Sequence, residues 1–183
     1  MSQKTEPLSL RWAQGQVFSC EKRFRVLVAG RRFGKSYLAC VELLRGALDR
    51  PGETFFYCAP TYRMAKDIAW RVLKKLVPKV WIKTKNETDL RIELINGSTI
   101  ELKGTENAMA LRGRSLSGVV LDEAAFMDAE VCFAGFRGFF RSATGCFPIG
   151  AATLLIFAYQ PRICIRAWIH VKLALGFRFY TGI

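Results

Sequence analysis

The sequence predicts an α/β fold: a largely parallel sheet flanked by helices, with its ligand site at the carboxyl ends of the strands. Three observations predict it. The apolar run Arg25 to Ala29 (RVLVA) breaks into the glycine-containing loop Gly30 to Ser36 and then into helical spacing. A second run, Thr54 to Ala59 (TFFYCA), also leads into a helical pattern. A third, Gly118 to Leu121, delivers two adjacent carboxylates, Asp122 and Glu123. Short, near-continuous apolar runs of this kind are what strands buried on both faces require.

The elements follow in order. After the first strand and its loop, Tyr37 to Leu48 places Leu38, Val41, Leu44 and Leu48 on one helical face. Asp49-Arg50-Pro51-Gly52 stops that helix. Beyond the second strand, Pro60-Thr61 precedes a helix from Tyr62 to Val77, ended by Pro78. Leu90, Ile92 and Leu94 then alternate with polar residues, as do Ile100 and Leu102. Between them Asn96-Gly97 predicts a hairpin with a two-residue turn.

Composition bounds the partners. The chain has 183 residues, 51% of them hydrophobic, which suits one globular domain. A formal net charge of +13 favours a polyanion, and nucleic acid is the first candidate. Six scattered cysteines without a C-x-x-C pair, and the single His170, argue against a zinc site. The polar amino terminus has no apolar signal region, so reduced thiols in a cytoplasm are expected. The longest apolar run, Phe147 to Tyr159, is shorter than the ~20 residues of a membrane-spanning helix, and no membrane partner is expected.

Ala29-Gly30-Arg31-Arg32-Phe33-Gly34-Lys35-Ser36 fits A-x-x-x-x-G-K-S, a phosphate-binding loop. Gly30 and Gly34 would let the backbone curl so that its N–H groups meet phosphate oxygens. The following helix adds the positive end of its dipole. Lys35 would reach the β and γ phosphates of ATP, and the Ser36 hydroxyl would bind Mg2+. Asp122 would hold the same Mg2+, and Glu123 would orient or deprotonate the attacking water. The bland alternatives are a glycine turn and a solvated acidic turn. An apolar strand leading into each motif disfavours both.

With these residues in place, the chain resembles the ATPase domain of the large terminase subunit of tailed bacteriophages. GRRFGKS, Ala59-Pro60-Thr61, LRGRS (Leu111 to Ser115) and VVLDEAAFM (Val119 to Met127) carry the resemblance in that order. It implies a P-loop NTPase of the RecA-like class with a catalytic glutamate, incomplete at its carboxyl end. It implies an ATP-driven motor that moves double-stranded DNA into a prohead, with portal protein, small terminase subunit and further copies of itself as partners in the bacterial cytoplasm. It also implies an adenine-reading glutamine, assigned to Gln16 with Gln14 as competitor. Arg112, with Arg114 beside it, stands where such motors carry an arginine finger. Arg31, the better placed, and Arg32 either sense phosphate or are plain loop charges, and Phe33 completes the same loop. Two other readings stand beside this one: a superfamily 2 helicase-like ATPase fragment, and a basic nucleic-acid-binding protein without catalysis.

The last third differs in composition. All fifteen acidic residues lie at or before Glu130, and Cys132 to Ile183 has none. A carboxylate-based two-metal nuclease cannot be built there. Residues 1–131 are therefore read as the ATPase part and 132–183 as an anomalous basic, Phe-rich tail. The Ser-Thr-Pro coupling motif that terminases carry on the strand after Asp-Glu is missing, and so, on this reading, is that strand. These features lead to the expectation of a shifted reading frame from about Cys132. Tyr159-Gln160-Pro161-Arg162 is compatible with it: one choice of codons, TAT CAA CCC CGA, encodes Ser-Thr-Pro when read from its third base.

Overall fold

The computed structural model describes residues 9–20, 24–106, 111, 116–127, 153–158 and 178–181, the last two segments by their backbone. Helix α1 is Trp12–Phe18, strand β1 Phe24–Val28, helix α2 Lys35–Asp49 and strand β2 Thr54–Ala59. Then come α3 (Tyr62–Ala65), a π-helical turn at Lys66–Trp70, and α4 (Arg71–Leu76). Strands β3 (Ile82–Asn86), β4 (Arg91–Leu94), β5 (Thr99–Gly104), β6 (Gly118–Leu121), β7 (Thr153–Ala158) and β8 (Arg178–Thr181) follow. They form one sheet in the order β3-β4-β5-β2-β6-β7-β1-β8. From β5 to β8 the neighbours are parallel, and β3 and β4 extend the sheet antiparallel. The predicted α/β class holds.

Helix α2 packs against β2, β5 and β6 and is buried round most of its circumference. Leu38, Val41 and Leu44 are buried as the spacing predicts, together with Leu43 and Ala47; Leu48, near the end, is exposed. One ion pair sits inside this packing. Arg25 on β1 binds the Glu42 carboxylate with two nitrogens, at 2.7 and 3.1 Å, and donates to the Val17 carbonyl at 2.8 Å. Glu42 also accepts from Arg45 at 2.9 Å, so a buried charge on the first strand ties α1 to α2. Losing one member of such a pair strands the other charge, which costs about 3–5 kcal/mol.

Two expectations need correction. The β4–β5 connection is a three-residue loop rather than a two-residue turn. The Gly97 amide donates to the Leu94 carbonyl at 2.9 Å, and the Leu94 amide donates to Ser98 at 2.8 Å. Only Gly97 takes a positive φ, 82°, because a type I turn closed by one left-handed residue needs a single such position. The second correction concerns the strand after Asp122-Glu123, which is not missing. The apolar run Thr153–Ala158 pairs with β6 on one side and β1 on the other. A run of this length and composition meets the requirement for an interior parallel strand. Among the described residues no helix is long and apolar enough to cross a membrane.

Candidate nucleotide-binding site

Strands β1 and β6 run parallel on either side of β7, with Leu27 opposite Phe157 and Leu121 opposite Ile156. This register brings the loop after β1 and the carboxylates after β6 to the same edge of the sheet. The loop turns through two left-handed residues, Arg32 (φ 64°) and Gly34 (φ 86°). The conformational demand expected at Gly30 falls on Arg32 instead: a Cβ at Gly30 would meet nothing within 4 Å. Gly34 is needed for its positive φ, and a Cβ there would also displace the Gln14 side-chain amide, whose Nε2 would lie 2.5 Å away. Phe33 packs partly buried against the core, and Arg31 and Arg32 are exposed.

Lys35 opens α2 and is buried. Its ammonium donates to the Ala29 carbonyl at 3.1 Å and lies 3.8 Å from Glu123 Oε1. Ser36 Oγ donates to Asp122 Oδ2 at 2.6 Å, joining residues 86 positions apart. The Asp122 amide is held by the Cys58 carbonyl at 2.9 Å, which fixes the end of β6 to β2. Glu123 adopts φ 55°, a conformation that costs a non-glycine residue about 1–2 kcal/mol. In this conformation its carboxylate lies beside Lys35. Burial pushes the Glu123 carboxyl above its usual range, with the Lys35 ammonium and Arg31 acting in the opposite direction.

Asp122 Oδ1 and Glu123 Oε2 are buried without a hydrogen-bond partner. Hard oxygen donors with a free buried lone pair beside a hydroxyl suit Mg2+, so Ser36 and Asp122 fit that ion. Four site residues named from sequence, Lys35, Ser36, Asp122 and Glu123, thus converge. Gln16 does not join them. The helical period of α1 buries Gln14 and Val17 and leaves Gln16 exposed. Gln14 reaches the loop, donating to Phe33 O at 2.9 Å and Gly34 O at 3.3 Å. Arg112 and Arg114 lie outside the described residues.

Sequence reasoning missed Tyr57, whose hydroxyl donates to Asp122 Oδ2. A tyrosine in an otherwise apolar strand was the available signal, because a buried phenol needs a partner. Burial, and then the neighbouring Asp122 carboxylate, push the Tyr57 hydroxyl well above its usual pKa. The basic residues of α3, the π turn and α4 are partly neutralised: Asp67 pairs with Arg63 and Arg71, and Glu87 with Lys74.

The sequence profile of the family described as terminase large subunit, T4likevirus-type, N-terminal, matches residues 26–140. The chain belongs to the large terminase subunit family. Among curated relatives, the large terminase subunit of Escherichia phage T5 is 34% identical over 108 residues, and that of Thermus virus P23-45 is 32% identical over 126. Each match takes in 58% of this chain but only 24% and 26% of those relatives, so the chain spans about a quarter of their length. Among solved structures, the Thermus phage P74-26 large terminase ATPase domain superposes with a TM-score of 0.68 at 24% identity, covering 82% of this chain and 64% of that one. The large terminase of the thermophilic bacteriophage D6E gives 0.73 at 16% identity, covering 95% and 46%. At these identities the structures establish a shared fold with the terminase ATPase domain. The profile match continues past Val131, the expected end of the ATPase part.

Proposed function

We propose that this chain binds Mg-ATP between its phosphate loop and the Asp122-Glu123 pair, as the ATPase part of a DNA-packaging motor. The observation that carries the reading is the convergence of Lys35, Ser36, Asp122 and Glu123 at one sheet edge, through the Ser36–Asp122 hydrogen bond and the Lys35–Glu123 ion pair. The large terminase of D6E has been solved with ADP and with ATP-gamma-S, which supports a nucleotide as the ligand of this fold.

In this reading Lys35 exchanges its loop carbonyls for phosphate oxygens, and the amides of the loop and of the α2 amino terminus face the phosphates. Ser36 and Asp122 would hold Mg2+, which when bound would supply positive charge against the transferring phosphoryl group. Glu123, with its basicity raised by burial, orients the attacking water and accepts its proton. Arg112, or Arg114, acts on a neighbouring subunit's phosphate, as the family resemblance implies. Double-stranded DNA, portal protein, small terminase subunit and further copies of the chain are the proposed partners of the intact motor.

Glu123→Gln tests the catalytic part. It should bind Mg-ATP with the affinity of the parent while phosphate release, measured with partner subunits present, falls at least about a hundredfold, the low end of general acid–base effects. Hydrolysis at the parental rate would remove Glu123 from the mechanism.

A further inference from the structure

We propose that Tyr57 is a positioning residue for the metal: its hydroxyl fixes the Asp122 carboxylate so that Oδ2 is held by protein donors and Oδ1 is presented to the cation. The inference rests on the nucleotide-site reading above and extends it to a residue on a different strand.

Tyr57 lies on β2, opposite Val120 of β6, with its side chain in the core beneath α2. It is 1% exposed, and Asp122 is 3% exposed. The phenol donates to Oδ2 from one side, and Ser36 Oγ donates to the same oxygen at 2.6 Å from another. A carboxylate held by one donor can swing about its Cα–Cβ and Cβ–Cγ bonds. Two donors from separate elements, β2 and α2, fix its plane. The second oxygen, Oδ1, is buried and has no partner. Its direction is therefore set by the bonds to Oδ2.

The hydroxyl is not explained by packing. Phe55 and Phe56 fill the same strand without one, and a phenylalanine ring would occupy the Tyr57 volume. A buried hydroxyl carries a desolvation cost that only a partner offsets, and the partner here is the proposed metal ligand. Tyr57 does not itself need to touch the metal. When the Ser36 oxygen turns to the cation, Tyr57 is the donor that still comes from outside the coordination set.

The test uses the full chain and fluorescent mant-ADP, first without metal and then with Mg2+ titrated in. Tyr57→Phe should bind mant-ADP without metal as the parent does. The Mg2+ concentration that gives half of the metal-dependent gain in affinity should rise about tenfold, the size of a lost hydrogen bond to a charged group. A role confined to packing would lower the melting temperature and leave that Mg2+ requirement unchanged, and an unchanged requirement overturns the proposal. A second measurement keeps the hydroxyl in place, so it holds if the phenylalanine variant does not fold. With 3-fluorotyrosine at position 57, the fluorine resonance of the ADP complex should move when Mg2+ is added; a resonance that stays fixed also overturns the proposal. A parent chain that fails to bind mant-ADP under any condition removes the nucleotide-site reading and this inference together. Parental binding with an unchanged Mg2+ requirement in the variant removes this inference alone.

Discussion

Gln14 commits both ends of its amide to the backbone. Its nitrogen donates to the carbonyls of Phe33 and Gly34, and its oxygen accepts from the Arg11 amide at 2.9 Å. An amide held this way braces the loop before α2 by fixing the peptide units of Phe33 and Gly34. Gln14→Met keeps the volume and removes the bonds. It should weaken ATP and GTP binding alike, by about fivefold to tenfold for neutral hydrogen bonds, while Gln16→Met changes neither. Competition titrations with both nucleotides check this; a loss confined to ATP would instead make Gln14 a reader of the base. The two kinds of site residue differ in legibility for a physical reason. Lys35, Ser36, Asp122 and Glu123 are readable because each motif is local, a loop or a strand end with fixed spacing. Gln14 and Tyr57 act across 19 and 65 positions, so only the fold brings them to the site.

The segment between β2 and β3 shows what pattern reading captures at the scale of an element. Its extent was legible. Thr61 caps it, accepting from the Met64 amide at 3.2 Å, and Pro78 follows its end. The wider turn at Lys66–Trp70 was not legible, since apolar spacing cannot separate a π turn from an α turn over five residues. Strand β3 was missed because its residues are almost all exposed, so it lacks the apolar alternation that marked β4 and β5. The two elements are joined by Glu87, which accepts from the Trp70 indole and pairs with Lys85 at 2.8 Å. Those bonds, Lys85 first and then Trp70, hold the Glu87 carboxyl down to about 2 from an ordinary value of 4.5. A depressed carboxylate stabilises the fold above its unfolded pKa, and the contribution disappears as pH falls through its folded one. Glu87→Gln should therefore lower the denaturant midpoint slightly at pH 6, with the difference from the parent vanishing between pH 4.5 and 2. Glu87 is half exposed, so the effect is small. An equal difference at every pH would assign the bond a purely geometric role.

At the scale of the whole molecule, the sheet order was beyond the sequence reading. A strand that pairs with both β1 and β6 comes from more than thirty residues further along the chain, and no local pattern announces that partnership. Strand β7 ends at Ala158, and Tyr159-Gln160-Pro161-Arg162 follows directly. Terminases carry Ser-Thr-Pro on the strand after Asp-Glu, and here the four residues for which one choice of codons contains Ser-Thr-Pro in another frame follow that strand. The family match in the present frame reaches residue 140 and the strand is present, so the expected shift rests on composition and the missing motif alone; it predicts that the gene, read in another frame beyond the match, encodes Ser-Thr-Pro at this point together with the acidic residues absent after Glu130. Sequencing the coding strand checks it, and a frame without either feature would make the tail a divergent terminase segment in its own right.

In the proposed function one sheet edge binds nucleotide through Lys35. Titration calorimetry of the full chain with Mg-ATP, parent against Lys35→Ala, tests it most directly. Lys35 is buried beside Glu123 and the loop carbonyls, so the comparison includes a melting curve of each protein without nucleotide. Saturable heat is expected from the parent and none from a folded Lys35→Ala protein; equal affinity in the two would remove Lys35 from the site.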